Sequence, residues 1–146
     1  MVQFCKRFEL PVAGCGQGHT AYGQSQVANG VVMDMSTLKT IYSIQPGKVS
    51  VAAGAKWRDL LIATLAQGQT PPVLTDYINL SIGGTLSVGG VNGTTYCEGA
   101  QIDNTLELDV ITGDGNLVTC SGTQHRDLFQ AVLGGLANAP LLSAQP

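Results

Sequence analysis

The chain has 146 residues, enough for one domain or a large part of one. Hydrophobic residues make up 44%, which can build a core, but charged residues are only 12%, about half the usual share, so part of the surface is expected to be covered by something else. A net charge of -3 without any basic run excludes a nucleic-acid partner, and the absence of eighteen or more uninterrupted apolar residues excludes a membrane-spanning helix.

Met1–Arg7 lacks the apolar core of a signal peptide, which favours a cytoplasmic location for the chain as written. Leu10–Ala13 reads as a short strand entering a glycine loop, and Val31–Met33 as a second apolar run ending at Asp34. Ile41–Ile44 and Val49–Ala53 flank Pro46 and Gly47, a turn pair, and so form a hairpin. From Lys56 the period changes. Trp57, Leu60, Leu61, Thr64 and Leu65 recur at helical spacing, Gly68 supplies a stop, and Pro71 and Pro72 forbid continuation. This helix is expected in the core.

Thr70–Leu80 reads as irregular, and 83–93 is too glycine-rich for a long element, with one helical turn at Thr85–Val88. In Thr105–Thr112 the residues Leu106, Leu108 and Val110 alternate onto one face of a strand. Residues 113–116 form a hairpin turn and Leu117–Cys120 returns. Asp127–Leu133 is a short helix with Ser121 or Thr123 as cap and Gly134 and Gly135 as stop; His125 before it is expected to be solvated. Asp103 and Asn104 read as a local cap. The order suggests an α+β domain with a largely antiparallel sheet and flanking helices.

Cys5, Cys15, Cys97 and Cys120 form no C-x-x-C pair and only two histidines are present, so no metal site is expected and the thiols read as buried or free. The 19 glycines cluster at 14–23, 83–99 and 113–122 inside apolar text. Backbone at such places turns tightly or approaches something closely, as it would against a large ligand.

The segment 14–19, GCGQGH, follows a strand, and Asp34 lies twenty residues past Gly14. That spacing mimics the dinucleotide fingerprint of a Rossmann unit. The fingerprint needs a helix directly after the glycines, whose N-terminus holds the pyrophosphate. Residues 20–30, TAYGQSQVANG, carry two glycines and no apolar stripe, so a crossover helix is not expected. What remains is a glycine loop able to expose main-chain N–H groups to an anion, ending in His19.

His19 stands in 16–24, GQGHTAYGQ, which closely resembles the G-R-G-H-S-x-x-G-Q segment of the cytokinin dehydrogenases, flavoenzymes with the p-cresol methylhydroxylase or vanillyl-alcohol oxidase type of FAD domain. Residues 71–78 (PPVLTDYI), 81–90 (SIGGTLSVGG), 99–113 (GAQIDNTLELDVITG) and 127–136 (DLFQAVLGGL) resemble the same family in the same order. The likeness runs over about 10–136. It implies that FAD is the cofactor and that His19 bonds covalently to the flavin's 8-methyl group. Gly16, Gln17, Gly18, Thr20 and Gln24 match positions lining the cofactor. Ser81, Ser87 and Val91 match others around the pyrophosphate and ring. Asp76 matches the aspartate that accepts a proton from a secondary-amine substrate, an N6-substituted adenine.

Gln17 departs from the family's arginine, so one cationic contribution is missing, and Cys97 stands near a position where arginine is common. After Leu136 the family continues with a cofactor-holding run that Ala137–Pro146 does not match. The family also has an upstream strand–helix subdomain and a downstream substrate domain that these residues do not contain. Residues 1–146 are therefore expected to be a partial FAD-binding domain, its main subdomain only, with a missing substrate domain or self-association covering an apolar face. The alternatives are an FAD-dependent alcohol, sugar or aldehyde oxidase of the same superfamily, a truncated remnant without activity, and a noncovalent FAD module resembling the UDP-N-acetylenolpyruvoylglucosamine reductases, which do not need His19.

Overall fold

The strand that enters the glycine loop forms at Val12–Cys15 (β1) and pairs in parallel with Val31–Asp34 (β2), Val12 opposite Val31 and Cys15 opposite Asp34. These relations come from a computed structural model that describes residues 1–136 and 141–143. Parallel neighbours usually need a helical crossover. Here residues 16–30 connect them through turns and bends alone, as the glycines at 23 and 30 require. The Rossmann reading therefore fails on the missing helix. Asp34 is exposed and accepts the backbone N–H of Ser36 at 2.8 Å.

Ile41–Gln45 (β3) and Lys48–Val51 (β4) form the hairpin expected around Pro46 and Gly47. Trp57–Leu65 (α2) follows, burying Trp57, Leu60 and Thr64. Ile82–Leu86 (α3) supplies the expected single turn a few residues early. Glu107–Ile111 (β5) and Leu117–Ser121 (β6) pair antiparallel, and Leu141–Ser143 (β7) adds to the other side of β5, in the order β6-β5-β7. Arg126–Val132 forms the last helix, α5 after α4 at Thr95–Glu98. The fold is α+β and mostly antiparallel, as expected, with its ladders divided among three small sheets among the described residues.

Several expectations change. Leu106 lies just before β5, so it escapes the strand's alternation and is 63% exposed. Asp109, on the opposite face from Leu108 and Val110, is buried too, and its carboxylate accepts the Thr119 hydroxyl at 2.6 Å. Neither Ser121 nor Thr123 caps α5. Ser121 Oγ accepts the N–H groups of Thr123 and Gln124 in the tight loop, and His125 takes the cap position at φ 47°. His125 is exposed, as expected. The helix Val2–Arg7 (α1) was not foreseen: six residues are too few for a period to show, and Gln3 Nε2 donating to the Gly115 carbonyl, with the Lys6–Asp114 ion pair, holds it against the β5–β6 turn.

The local cap at Asp103 and Asn104 is present: a 3-10 turn spans Gln101–Asn104, Asp103 accepts the Ala100 N–H, and Asn104 donates to the carbonyls of Glu98 and Ala100. The non-matching residues 137–140 and 144–146 lie outside the described residues. All four cysteines are free, Cys5 and Cys120 buried and Cys97 exposed. No helix among the described residues is long and apolar enough to cross a membrane.

One core joins these pieces. Leu60, Leu108, Val110 and Val132 are at most 2% exposed and pack with Trp57, Ile82, Leu86 and Phe129. Each such side chain contributes about 1.5–3 kcal/mol on burial. Through Ala53 and Trp57 this core also supports the site: the backbone of Gly83 rests on Ala53, and Trp57 Nε1–H donates to Thr85 Oγ1 at 2.7 Å.

Candidate functional site

A cavity of about 610 Å³ lies between the glycine loop after β1 and the start of α3, within the size range of small-molecule sites. Residues 14 and 16–22 of the loop form one wall and Ser81–Ser87 the other, while Thr112, Gly113 and Leu136 close a third side. Eleven residues of the 16–30 connection thus share the cavity with a stretch some sixty positions later. The two walls meet at Gly16 and Ser81. A Cβ on Gly16 would overlap Ser81 Oγ, and one on Gly84 would come within 2.8 Å of the same oxygen. Gly18 sits at φ +69°, where side chains are disfavoured, and this lets the loop turn before His19.

Among the described residues no aspartate, glutamate, lysine or arginine lines this cavity. Its polar lining residues are Thr20, Ser25, Ser81, Thr85, Ser87 and Thr112, the amide-bearing Gln17, Gln24 and Gln26, and Tyr22 and His19. Ser81 is buried, at 3% exposure, and makes no side-chain cap bond to α3, which leaves its hydroxyl for a ligand. Ser87 Oγ donates to the Gly83 carbonyl, and Thr20 and Ser25 share a hydrogen bond at 3.4 Å. Apolar surface comes from Val12, Val27, Met33, Met35, Leu80 and Val88.

Eight of the ten site residues read from the sequence come together here: Gly16, Gln17, Gly18, His19, Thr20, Gln24, Ser81 and Ser87 all line the cavity. Asp76 and Val91 do not. Both are exposed, Val91 at 65%, and both stand beyond the walls. Asp76 adjoins Tyr77, whose ring packs on the His19 imidazole with centroids 5.2 Å apart. Tyr77, Thr85, Thr112 and Leu136 were not singled out in the sequence. All four fall inside the segments that carry the resemblance, so only their roles, not their presence, needed the fold.

The wall fits an elongated dinucleotide such as FAD on two observations. Space in front of Ser81 depends on missing Cβ atoms at Gly16 and Gly84, and the polar lining of hydroxyl and amide residues holds no acidic side chain among the described residues to repel a diphosphate. Among the described residues no cluster of His, Cys, Asp or Glu could hold a metal ion.

A family model described as "FAD binding domain" matches residues 1–121. An uncharacterized oxidoreductase, ORF5 in the fasciation locus of Rhodococcoides fascians, is 46% identical over 127 residues, covering 87% of this chain and 29% of its own length. Cytokinin dehydrogenase 7 of Oryza sativa subsp. japonica is 47% identical over 144 residues, covering 92% of this chain and 27% of its own. Cytokinin dehydrogenase 2 of Arabidopsis thaliana is 41% identical over 133 residues. The crystal structure of 6-hydroxy-D-nicotine oxidase from Arthrobacter nicotinovorans superposes with a TM-score of 0.85 over 99% of this chain and 32% of that one, at 23% identity, a likeness of fold. The chain thus spans less than a third of the length of these relatives.

Proposed function

The chain belongs to the FAD binding domain family, with FAD as its cofactor, and from that premise we propose that it is the cofactor-holding part of an oxidoreductase that dehydrogenates a secondary amine of the cytokinin type, an N6-substituted adenine, with His19 covalently linked to the flavin. The observation that carries the reading is the neutral, glycine-faced cavity with His19 at the end of its loop. Relatives named cytokinin dehydrogenase, at 47% and 41% identity, support the amine as substrate.

FAD, when bound, supplies the acceptor for a hydride from the carbon beside the amine nitrogen. The chain's own residues do the rest. Gly16, Gln17, Gly18, Thr20 and Gln24 on one wall and Ser81 and Ser87 on the other hold the cofactor through N–H groups, amides and hydroxyls. Val91 is assigned to the outer edge of the ring. Asp76 accepts the N–H proton, so that the amine loses one proton and one hydride and leaves as an imine. His19 would hold the flavin through its imidazole and so fix the ring against the glycine loop. The exposed apolar side chain of Val88 at the cavity is assigned to contact with a partner domain or a second copy that encloses the substrate.

The test is the visible spectrum of the purified chain and of His19→Ala, before and after acid precipitation with added FAD. A yellow pellet from the wild type alone, with flavin on the His19 peptide, is expected. A colourless wild-type pellet rejects the linkage, and failure to bind FAD at all rejects the cofactor-holding role. Turnover of alcohols or sugars in preference to secondary amines by the enzyme containing this domain would replace the substrate.

A further inference from the structure

We infer that Tyr77 is the positioning residue for His19: its ring fixes the plane of the imidazole at the cavity, and this rests on the reading that His19 carries the flavin. The two rings lie 5.2 Å apart between centroids, tilted by 56°. That is within the range of attractive tilted aromatic pairs. His19 is exposed and follows Gly18, whose φ of +69° belongs to an adaptable turn. The hydrogen bonds of this loop run between Thr20 and Ser25 and between Tyr22 and Gln24; among the described residues none reaches the imidazole. The ring torsion of a histidine is broad. Without the phenol, nothing among the described residues selects one orientation.

Tyr77 is the better anchored of the two. Its carbonyl accepts the Thr75 hydroxyl at 3.2 Å. One residue on, the Ile78 carbonyl accepts the N–H of Arg58 at 2.8 Å, and the Leu80 carbonyl accepts that of Trp57 at 3.1 Å. The loop is thereby tied to the first turn of α2, whose Trp57 and Leu60 belong to the core. A phenol on pinned backbone faces an imidazole on a glycine loop, so the first orients the second. Asp76 precedes Tyr77 directly. One short loop then sets both the orientation of the flavin-bearing histidine and the placement of the proposed proton acceptor.

The experiment compares the wild-type chain with Tyr77→Phe and Tyr77→Leu. In FAD-free protein, proton NMR reads cross-relaxation between the His19 imidazole and the ring at 77, together with the ring-current shift of the imidazole protons. Both are expected in the wild type and in Tyr77→Phe and are expected to vanish in Tyr77→Leu. With FAD added, acid-stable flavin should accumulate about tenfold more slowly, or slower still, in Tyr77→Leu, since misplacing a reacting group by about 1 Å can cost a factor of 100. Tyr77→Phe should restore the rate, and reversible FAD binding, read by quenching of Trp57, should stay within about twofold in all three. No cross-relaxation in the wild type, or a wild-type attachment rate in Tyr77→Leu, overturns the inference. Failure of the linkage looks different: cross-relaxation present in the wild type and lost in Tyr77→Leu, with no acid-stable flavin in any chain, supports the positioning contact and rejects the covalent bond.

Discussion

Gly16→Ala isolates the contact on which the cavity depends. The backbone at Gly16 is not in the left-handed region, so alanine brings no dihedral strain and the whole effect is steric. The added Cβ would overlap Ser81 Oγ and stand 3.3 Å from Ser81 Cβ. The Ser81 backbone cannot withdraw, since it is 3% exposed, its carbonyl accepts the Thr85 N–H at 3.1 Å, and it bridges to Lys56, so relief has to come from rotating a confined hydroxyl. Overpacking of this kind costs about 1–3 kcal/mol. Ser81→Ala alone removes a hydroxyl that caps nothing in α3, so it should change stability by about 0.5 kcal/mol or less. In the double variant the overlap disappears and only the tight 3.3 Å approach remains. The two substitutions should therefore be coupled, the double variant recovering about 1–2 kcal/mol of the loss. Urea unfolding followed through Trp57, the single tryptophan, measures this. With a slope near 2 kcal/mol per molar, Gly16→Ala should lower the midpoint by roughly 0.5–1.5 M and the double variant by far less. FAD affinity is read with glycine at 16: there Ser81→Ala, lacking a donor to the diphosphate, weakens binding about tenfold. Additive stability losses, with no recovery in the double variant, would refute the contact between the two walls.

Thr85→Val keeps the shape but leaves the buried indole N–H of Trp57 without its acceptor at 2.7 Å, and should destabilise by about 1–3 kcal/mol in the same unfolding assay. Leu108→Ala, at a position with 0% exposure remote from the cavity wall, should lose about 2–5 kcal/mol while leaving FAD affinity unchanged in the folded fraction. Burial, reinforced by Asp109 and Glu107, raises the Cys120 thiol above its ordinary value of 9.0; the unfolded chain then releases that proton first, so stability is complete below about pH 9 and falls as pH rises towards the folded value. Cys120→Ala should flatten this alkaline decline in midpoints measured from pH 8 to 10. The Ser36 hydroxyl and N–H hold the Asp34 carboxyl below its usual range, so its contribution is present above about pH 4 and disappears on acidification, and Asp34→Asn should reduce the acid-side slope. Finally, FAD affinity should change by less than about threefold between low and moderate salt, because no cation lines the cavity to be screened; a steep loss would mean that lysine or arginine carries the binding.

What the sequence revealed was mostly what neighbouring residues decide together. Pro46 and Gly47 between two apolar runs gave the hairpin, and the helical spacing of Trp57, Leu60 and Thr64 gave α2 with its buried face. The glycine loop and the segment from Ser81 were legible as pieces through their resemblance to a family. Their meeting was not, because the contact of Gly16 with Ser81 joins residues that only the tertiary fold brings together. The pairing of His19 with Tyr77 was hidden for the same reason. Alternation misled at Leu106, where the strand had not yet begun, and missed the burial of Asp109, whose carboxylate is taken up by the Thr119 hydroxyl across the β5–β6 ladder. The short α1 carries too few residues for a period and is held by contacts with the turn at 114–115.

The neutrality of the wall ties these observations together. A chain of net charge -3 is proposed to hold a dianionic diphosphate with no lysine or arginine on the cavity. Dipoles must then do what charges do elsewhere, and dipoles work only at close range and in fixed orientation. Close range explains the glycines at 16 and 84, since a side chain at either would occupy the space in front of Ser81. Fixed orientation explains why the second wall is built into the core, with Gly83 resting on Ala53 and Thr85 bonded to Trp57. The arginine that Gln17 replaces would relax the demand for close fit by acting over a longer distance. Its absence puts the binding free energy on geometry, so here the packing beneath the site and the affinity of the site are one property.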